Sequence, residues 1–342
     1  MEIWRKNIQR EMKKEIIVFI ITGIFCIILA EIILEVTYPQ NKSFIEQNQA
    51  TKYKGRPHME TTASSEEYTY NIKLNNGGWR DNDFILKKEK KRVLMLGDSM
   101  TFGQGVNQDK IFPSLIENTL PEYEIMNLGF PGYGLGMEVR ALEEFGKRYN
   151  PDKIIIVFYT GNDIEENDDA VEIINNQLLW KNFTKNWKLE TKIILSRYSN
   201  IYNMIAKVYR GTTTITQPAY TKLLKDKEVM DKALKRTERI IQYLKETNKE
   251  DIIVIIMPTK EEISTKAFEQ TFKETDVRKE ELDTISGVIE RILKKENIPY
   301  INLKKKGMNN NEELYFNNDI HLTEEGHKKI AEIITNNKEI IR

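Results

Sequence analysis

From Lys91 onward the chain alternates short apolar runs with amphipathic stretches, and no other feature restricts its fold as firmly. The runs VLMLGDS, YEIMNLG, KIIIVFYTG, DIIVIIMP and IPYINL read as five strands. Between them, DKIFPSLIENTL, MEVRALEEFGKRY and windows over roughly 226–248 and 276–295 read as helices, with TEEGHKKIAEIIT as the last. Strands this continuously apolar are buried on both faces, which calls for a parallel sheet covered by helices on each side. An α/β domain with a five-stranded parallel sheet is expected over 91–342, with a helical insertion at about 164–220.

A different apolar segment lies near the start. Ile16 to Leu34 (IIVFIITGIFCIILAEIIL) is about as long as the roughly 20 residues needed to cross a bilayer, and its single charge, Glu31, lies near the far end where it can reach the headgroups. Arg5, Lys6, Arg10, Lys13 and Lys14 precede the run and only Lys42 follows closely, so the positive-inside rule predicts a cytoplasmic segment over 1–15, a single-pass transmembrane signal anchor over 16–36 and an extracytoplasmic remainder. A cleavable signal peptide is the competing reading, but the stretch is long and no small-x-small site follows it. The lone cysteine, Cys26, sits inside the run and is expected to face lipid or pack. With one cysteine no intrachain disulfide is possible, and three scattered histidines give no zinc constellation, so neither metal nor organic cofactor is implied. A formal net charge of zero gives no support for nucleic-acid binding.

Residues 37–90 are rich in Asn, Gln, Lys, Thr, Ser and Glu and read as a stalk and N-terminal arm, with EYTYNIKL before Asn-Gly-Gly-Trp-Arg as a short hairpin or extended arm on the main domain. His58 falls in this stalk. The insertion opens acidic, with Asp163, Glu165, Glu166, Asp168 and Asp169 read as a solvated helix start, and continues with Trp180, Trp187, Tyr198, Tyr202 and Tyr209, read as packing within a helical subdomain.

The chemistry gathers at strand ends. GDSM at 97–100 closes the first strand and lifts the Ser99 hydroxyl to the carboxyl edge of the sheet, where open α/β sheets bind ligands. NLGFPGYG at 127–134 ends the second strand, with glycines that permit tight turns and close backbone approach, and FYTGND at 158–163 ends the third with Asn162. NNDIHLTEEGH at 317–327 places Asp319 and His321 just before the last helix, which Thr323 can cap; His327 reads as a solvated helix residue. A serine is a weak nucleophile that needs a base, a group to orient the base and donors for an oxyanion.

In this order the four segments resemble the SGNH (GDSL-type) hydrolase superfamily: GDSM its first block, NLGFPG its second, GND its third and DIH its last, over roughly Lys91 to Ile341. The resemblance implies a three-layer α/β/α flavodoxin-like fold, here preceded by one transmembrane helix, and acyl-ester chemistry. By position it implies Ser99 as nucleophile, His321 as general base, Asp319 as the carboxylate that orients the imidazole, and an oxyanion hole from the backbone N–H groups of Ser99 and Gly132 with the Asn162 side chain. Many members have Asp-x-x-His, where this chain has Asn318; its Asp-x-His form resembles the branch that includes acetyl-handling enzymes of bacterial exopolysaccharide pathways.

The function expected from these residues is a membrane-anchored serine esterase that removes small acyl groups, acetyl above all, from a small-molecule or envelope or exopolysaccharide carbohydrate substrate. An O-acyltransferase would use the same serine with a sugar hydroxyl in place of water, and an inactive glycan-binding protein is a third reading.

Overall fold

The computed structural model describes all residues except 165–169, 182, 212–219, 274, 310 and 338–342. In chain order the elements begin with α1 (Glu2–Thr37), β1 (Ile45–Asn48), β2 (Lys52–Gly55), β3 (Glu60–Ser64), β4 (Thr69–Lys73), β5 (Lys91–Leu96), α2 (Ser99–Phe102), α3 (Phe112–Thr119) and β6 (Tyr123–Asn127). They continue with α4 (Leu135–Ala141), β7 (Lys153–Tyr159), β8 (Val171–Ile174), β9 (Gln177–Trp180), α5 (Trp187–Tyr198), α6 (Asn200–Gly211), α7 (Tyr220–Lys225) and α8 (Lys227–Thr247). The remainder is β10 (Asp251–Met257), α9 (Lys260–Ile263), α10 (Thr265–Phe272), α11 (Lys279–Lys295), β11 (Tyr300–Asn302) and α12 (Glu324–Asn336).

The chain divides into two compact units, Met1–Ser43 with Thr191–Ile215, and Phe44–Glu190 with Thr216–Arg342. The larger unit holds a five-stranded sheet in the order β11-β10-β7-β5-β6, with every neighbouring pair parallel. Counted along the chain this is the flavodoxin-like 2-1-3-4-5 order, so the strand order reverses between β5 and β7. Both faces are covered because successive strand residues point to opposite sides. Leu94, Leu96, Ile154, Ile156 and Phe158 join one core with Ile240, Ile241, Leu244, Ile285 and Ile289 of α8 and α11. Val93, Met95, Ile155, Val157 and Ile255 join the other with Phe112, Ile116, Ile330 and Ile334 of α3 and α12.

The stretch whose composition suggests a stalk behaves otherwise from Phe44 onward. It forms two antiparallel hairpins, β1–β2 and β3–β4, and sends Tyr70, Ile72, Leu74 and Trp79 into the first core. One face of β4 is apolar and the other polar, so half of this arm meets water and its composition reads as exposed. His58 is exposed.

In the smaller unit, α1 is long and apolar enough to cross a membrane. Glu31 accepts hydrogen bonds from Ser199 Oγ (2.5 Å) and the Asn200 backbone N–H (2.7 Å) at the start of α6. Cys26 is exposed. Among the insertion aromatics, Trp180 packs edge-on against Tyr243 of α8, whereas Trp187, Tyr198 and Tyr209 are exposed, contrary to the expected packing. The acidic residues Glu165, Glu166, Asp168 and Asp169 lie outside the described residues. Asp163 is not part of a solvated helix start: it is fully buried and its carboxylate accepts the Tyr159 backbone N–H at 2.6 Å, closing the turn after β7.

Candidate active site

The turn after β5 is fixed by its own short side chains. Asp98 caps α2 by accepting the Met100 N–H at 2.8 Å, which leaves Ser99 as the first helical residue at the carboxyl edge of the sheet. Asp98 is fully buried, and burial pushes its carboxyl up, with the Met100 N–H, the charge of His321 and the Asn162 amide pulling the other way. Gly103 ends the helix at φ +80°, where a Cβ would also meet Ile111 at 2.1 Å, so only glycine suits this position.

The final segment approaches from the other side of the turn. Tyr315 bridges to Leu322, the Phe316 N–H donates to the His321 carbonyl at 3.0 Å, and Thr323 caps α12 through the Gly326 N–H. This short loop presents both remaining groups. His321 Nε2 lies 2.8 Å from Ser99 Oγ, and His321 Nδ1 is hydrogen-bonded to Asp319 Oδ1. The same carboxylate oxygen accepts the His321 backbone N–H at 3.0 Å, and its other oxygen accepts the Tyr68 hydroxyl at 2.8 Å. Burial opposes ionisation of Asp319, yet the His321 ring and its charge, the Tyr68 hydroxyl and the His321 N–H outweigh it and hold the carboxyl down at about 2. Ser99 and His321 are only 8% and 7% exposed, so the pair is shielded from bulk water while still reachable.

The second and third blocks stand beside this pair. The loop after β6 is tied to the turn after β5 by the Phe130 N–H, which donates to the Gly97 carbonyl at 3.0 Å. Gly132 adopts φ +75°, and its carbonyl accepts the Tyr53 hydroxyl at 2.8 Å. Asn162 follows β7 across the point where the strand order reverses, with its side-chain amide against Asp98. Ser99, His321 and Asp319 are thus joined in one hydrogen-bonded chain, and Gly132 and Asn162 occupy loops flanking the turn that carries Ser99.

Four residues at this edge carry no motif. Tyr53, Glu67, Tyr68 and Arg80 all come from the arm before β5. Glu67 accepts the Asn317 and Asn318 backbone N–H groups at 2.7 Å each, one on each carboxylate oxygen. Burial raises the Tyr68 pKa, the Gln104 side chain opposes this and the Asp319 charge adds to it, so the phenol keeps its proton and donates. Arg80 is fully buried and donates to the carbonyls of Phe102 (3.1 Å), Gly103 (2.5 Å) and Val106 (2.6 Å), behind the Ser99 turn. The period-two run Tyr68, Tyr70, Ile72, Leu74 is the only sequence signal for any of them, since it places Tyr68 on the face that packs inward.

His327 is also not where its sequence neighbours suggest. It is fully buried, stacked on Phe112 with ring centroids 5.5 Å apart, and its Nδ1 accepts the Phe112 N–H at 3.2 Å. Burial, then the charges of Arg80 and His321, lower its pKa to about 3, so it is a neutral core residue.

Among solved structures the chain is similar to a lipase/acylhydrolase from Enterococcus faecalis (16% identity, covering 72% of this chain and 94% of that one, TM-score 0.41). It is also similar to the acetyl xylan esterase AlAXEase (15%, 72% and 98%, TM-score 0.40) and to a carbohydrate acetylesterase family member from Sinorhizobium meliloti (12%, 72% and 96%, TM-score 0.39). No curated protein matches the chain. Residues 95–329, which contain Ser99, Gly132, Asn162, Asp319 and His321, match the GDSL-like Lipase/Acylhydrolase family model, and the chain belongs to that family.

Proposed function

We propose that the protein is a serine esterase that hydrolyses small acyl esters, acetyl above all, on a cell-envelope or exopolysaccharide carbohydrate. The observation that carries this reading is the unbroken chain Ser99 Oγ, His321 Nε2, His321 Nδ1, Asp319 Oδ1 at the carboxyl edge of the sheet. The Asp-x-His form of the last block supports acetyl as the group removed, through its resemblance to acetyl-handling enzymes. The apolar α1, with basic residues before it, supports a signal anchor over 16–36, a cytoplasmic 1–15 and an extracytoplasmic catalytic domain.

In this mechanism Ser99 Oγ attacks the ester carbonyl carbon while its proton passes to His321 Nε2. Asp319 keeps the imidazole in the tautomer whose Nε2 can accept, and stabilises the imidazolium that forms. The carbonyl oxygen becomes an oxyanion held by the Ser99 and Gly132 N–H groups and the Asn162 amide. Collapse breaks the bond to the alkoxide, which leaves as the alcohol with the proton from His321 and yields acyl-Ser99. A water then gives a proton to His321 and attacks the acyl carbon; the acid departs and Ser99 recovers its proton. Each oxyanion donor contributes about 100- to 1000-fold in turnover.

The test is hydrolysis of a chromogenic acetyl ester by the full chain, compared among wild type, Ser99→Ala and His321→Ala. Activity is expected to fall about 10⁴-fold or more in both variants. Unchanged turnover in Ser99→Ala would overturn the reading. A wild type that releases product only when a glycan acceptor is present would make it an acyltransferase.

A further inference from the structure

We propose that Tyr68 and Glu67, at the tip of the β3–β4 hairpin, are positioning residues for acyl transfer, so that an arm outside the family-matched residues completes the active site. The inference rests on the reading of Asp319 as the carboxylate that orients His321.

Asp319 stands on a bend, in neither a helix nor a strand, two residues before the histidine it serves. One of its oxygens is pinned from within the loop, by the backbone N–H and ring of His321. The partner on its other oxygen is the Tyr68 hydroxyl at 2.8 Å, so rotation of the carboxylate about its Cβ–Cγ bond is blocked by a residue 251 positions away in the chain. The loop itself is held by Glu67, whose two oxygens take two consecutive N–H groups, Asn317 and Asn318, in a bidentate clamp immediately before Asp319.

The clamp is also held from within its own hairpin. Ser65 Oγ accepts the N–H groups of Glu67 (3.2 Å) and Tyr68 (3.3 Å), and the Ser65 N–H donates to the Tyr68 carbonyl at 2.8 Å, which fixes the hairpin tip. The Tyr68 ring packs against Phe316 with centroids 4.7 Å apart, on the residue that opens the loop. Hydrogen bonds of this kind act on catalysis through geometry, because a nucleophile and base displaced by fractions of an ångström lose much of their advantage.

The experiment uses the full chain and a chromogenic acetyl ester, with Tyr68→Phe, which keeps the ring contact with Phe316 and removes the hydroxyl, and Glu67→Ala. For Tyr68→Phe we expect kcat to fall about tenfold with KM within about twofold, the loss of one charge-assisted hydrogen bond. The acid limb of kcat/KM should move to higher pH, because a carboxylate that has lost a donor is a stronger partner for the charged imidazole. Glu67→Ala should lower kcat about fivefold. A second readout does not depend on turnover: the chain has three histidines, so ¹⁵N-histidine spectra resolve the His321 ring, and its Nδ1 proton should shift in Tyr68→Phe.

A Tyr68→Phe enzyme with wild-type kcat and acid limb would overturn the proposal. So would a lower kcat with neither the acid limb nor the His321 proton moved, which would make Tyr68 structural only. A wild type inert toward esters, or an active Ser99→Ala, would sink the esterase reading instead; the His321 proton would then still decide whether Tyr68 acts on the Asp319–His321 pair.

Discussion

The loops at the carboxyl edge of the sheet supply the groups proposed for the chemistry, Ser99, Asp319 and His321, whereas the arm over residues 44–84 supplies none of them. The arm instead bonds to three of the loops from outside: Tyr53 to Gly132, Arg80 behind the Ser99 turn, and Glu67 with Tyr68 to the segment 317–319. The two regions also differ in what they require of their residues. A nucleophile and base must each be one residue type at one position in the fold, while a clamp needs only a donor or acceptor of the right reach. That is why the first region carries motifs and matches a family model over 95–329, and the second lies outside that match. Changes in the loops should therefore remove chemistry, and changes in the arm should remove position or stability.

Among changes that keep both Ser99 and His321, the largest effect is expected from Asp319→Asn. An amide at this position leaves the loop geometry intact but favours the imidazole tautomer whose Nε2 carries a proton and cannot accept one from Ser99. Turnover should fall about 10³- to 10⁴-fold with the fold retained. In the wild type the carboxyl is held at about 2, so it is charged over the whole working range and does not set the acid limb of the activity profile. The stability it contributes is present above the ordinary carboxylate value, near 3.9, and is lost only as the pH falls toward 2. A loss below about tenfold in Asp319→Asn, measured as kcat on a chromogenic ester, would assign the orienting role elsewhere and erase the contrast between the regions.

The next effect tests the loops' own interior. His327 and His321 are six positions apart in the chain, yet one faces Ser99 and the other is sealed in the core against Phe112. The folded pKa of His327 is about 3, against about 6.5 unfolded, so the unfolded chain binds the extra proton first. Stability is full above pH 6.5 and is lost as the pH falls from there toward 3. Between pH 7 and pH 4 this amounts to about 3 kcal/mol. His327→Asn, which can retain an acceptor for the Phe112 N–H, should therefore show a flatter fall of Tm over that range than the wild type. Parallel curves would mean that His327 is already solvated and titrates freely.

These two histidines also show what is legible in the sequence and what is hidden there. The five strands are readable because each is a run of β-branched and other apolar residues buried on both faces, and the helices because their apolar period is 3.6. Ser99 and Asn162 are readable because a strand-end position and the residue type coincide, and His321 because it stands just before the capped last helix. His327 reads as solvated beside its charged neighbours, although it shares the spacing of Ile330, Ala331 and Ile334 on one face of α12, and that spacing is the signal for its burial. The arm is hidden for a different reason. Tyr70 and Ile72 alternate with Thr69, Asn71 and Lys73, a pattern that announces a half-buried strand but not the surface that buries it. Tyr68, Glu67 and Arg80 meet partners more than 20 residues away, and no local spacing encodes such a meeting.

Arg80 should show the arm's structural share. Its guanidinium meets backbone carbonyls and the rings of Tyr70 (4.9 Å) and Phe102 (5.3 Å), and burial lowers its pKa to about 10, which leaves it charged at neutral pH. Arg80→Met keeps the aliphatic volume and strips the donors from the Phe102, Gly103 and Val106 carbonyls. The expected cost is about 3 kcal/mol of unfolding free energy, read from denaturant titration. A cost under about 1 kcal/mol would show that the loop behind Ser99 holds itself.

The smallest effect sharpens the comparison most, because it asks whether the arm acts at both ends of the site. Tyr53 donates to the Gly132 carbonyl, and Gly132 sits at φ +75° beside the N–H proposed to hold the oxyanion. A Cβ on Gly132 would approach the Tyr53 hydroxyl at 2.5 Å, so the two residues are fitted to one another. Tyr53→Phe leaves the ring tilted against Phe130 and Tyr133 and removes the hydroxyl. A freed carbonyl lets the backbone shift about Gly132, and displacement of its N–H weakens the oxyanion contact in the transition state and leaves ground-state binding unchanged. Turnover should fall about fivefold, near 1 kcal/mol, at constant KM and with the acid limb of the pH profile unmoved, since neither Asp319 nor His321 is touched. A shift of that limb in Tyr53→Phe would tie both arm contacts to the Asp319–His321 pair. An unchanged kcat would confine the arm's action to the end of the site that Tyr68 and Glu67 hold.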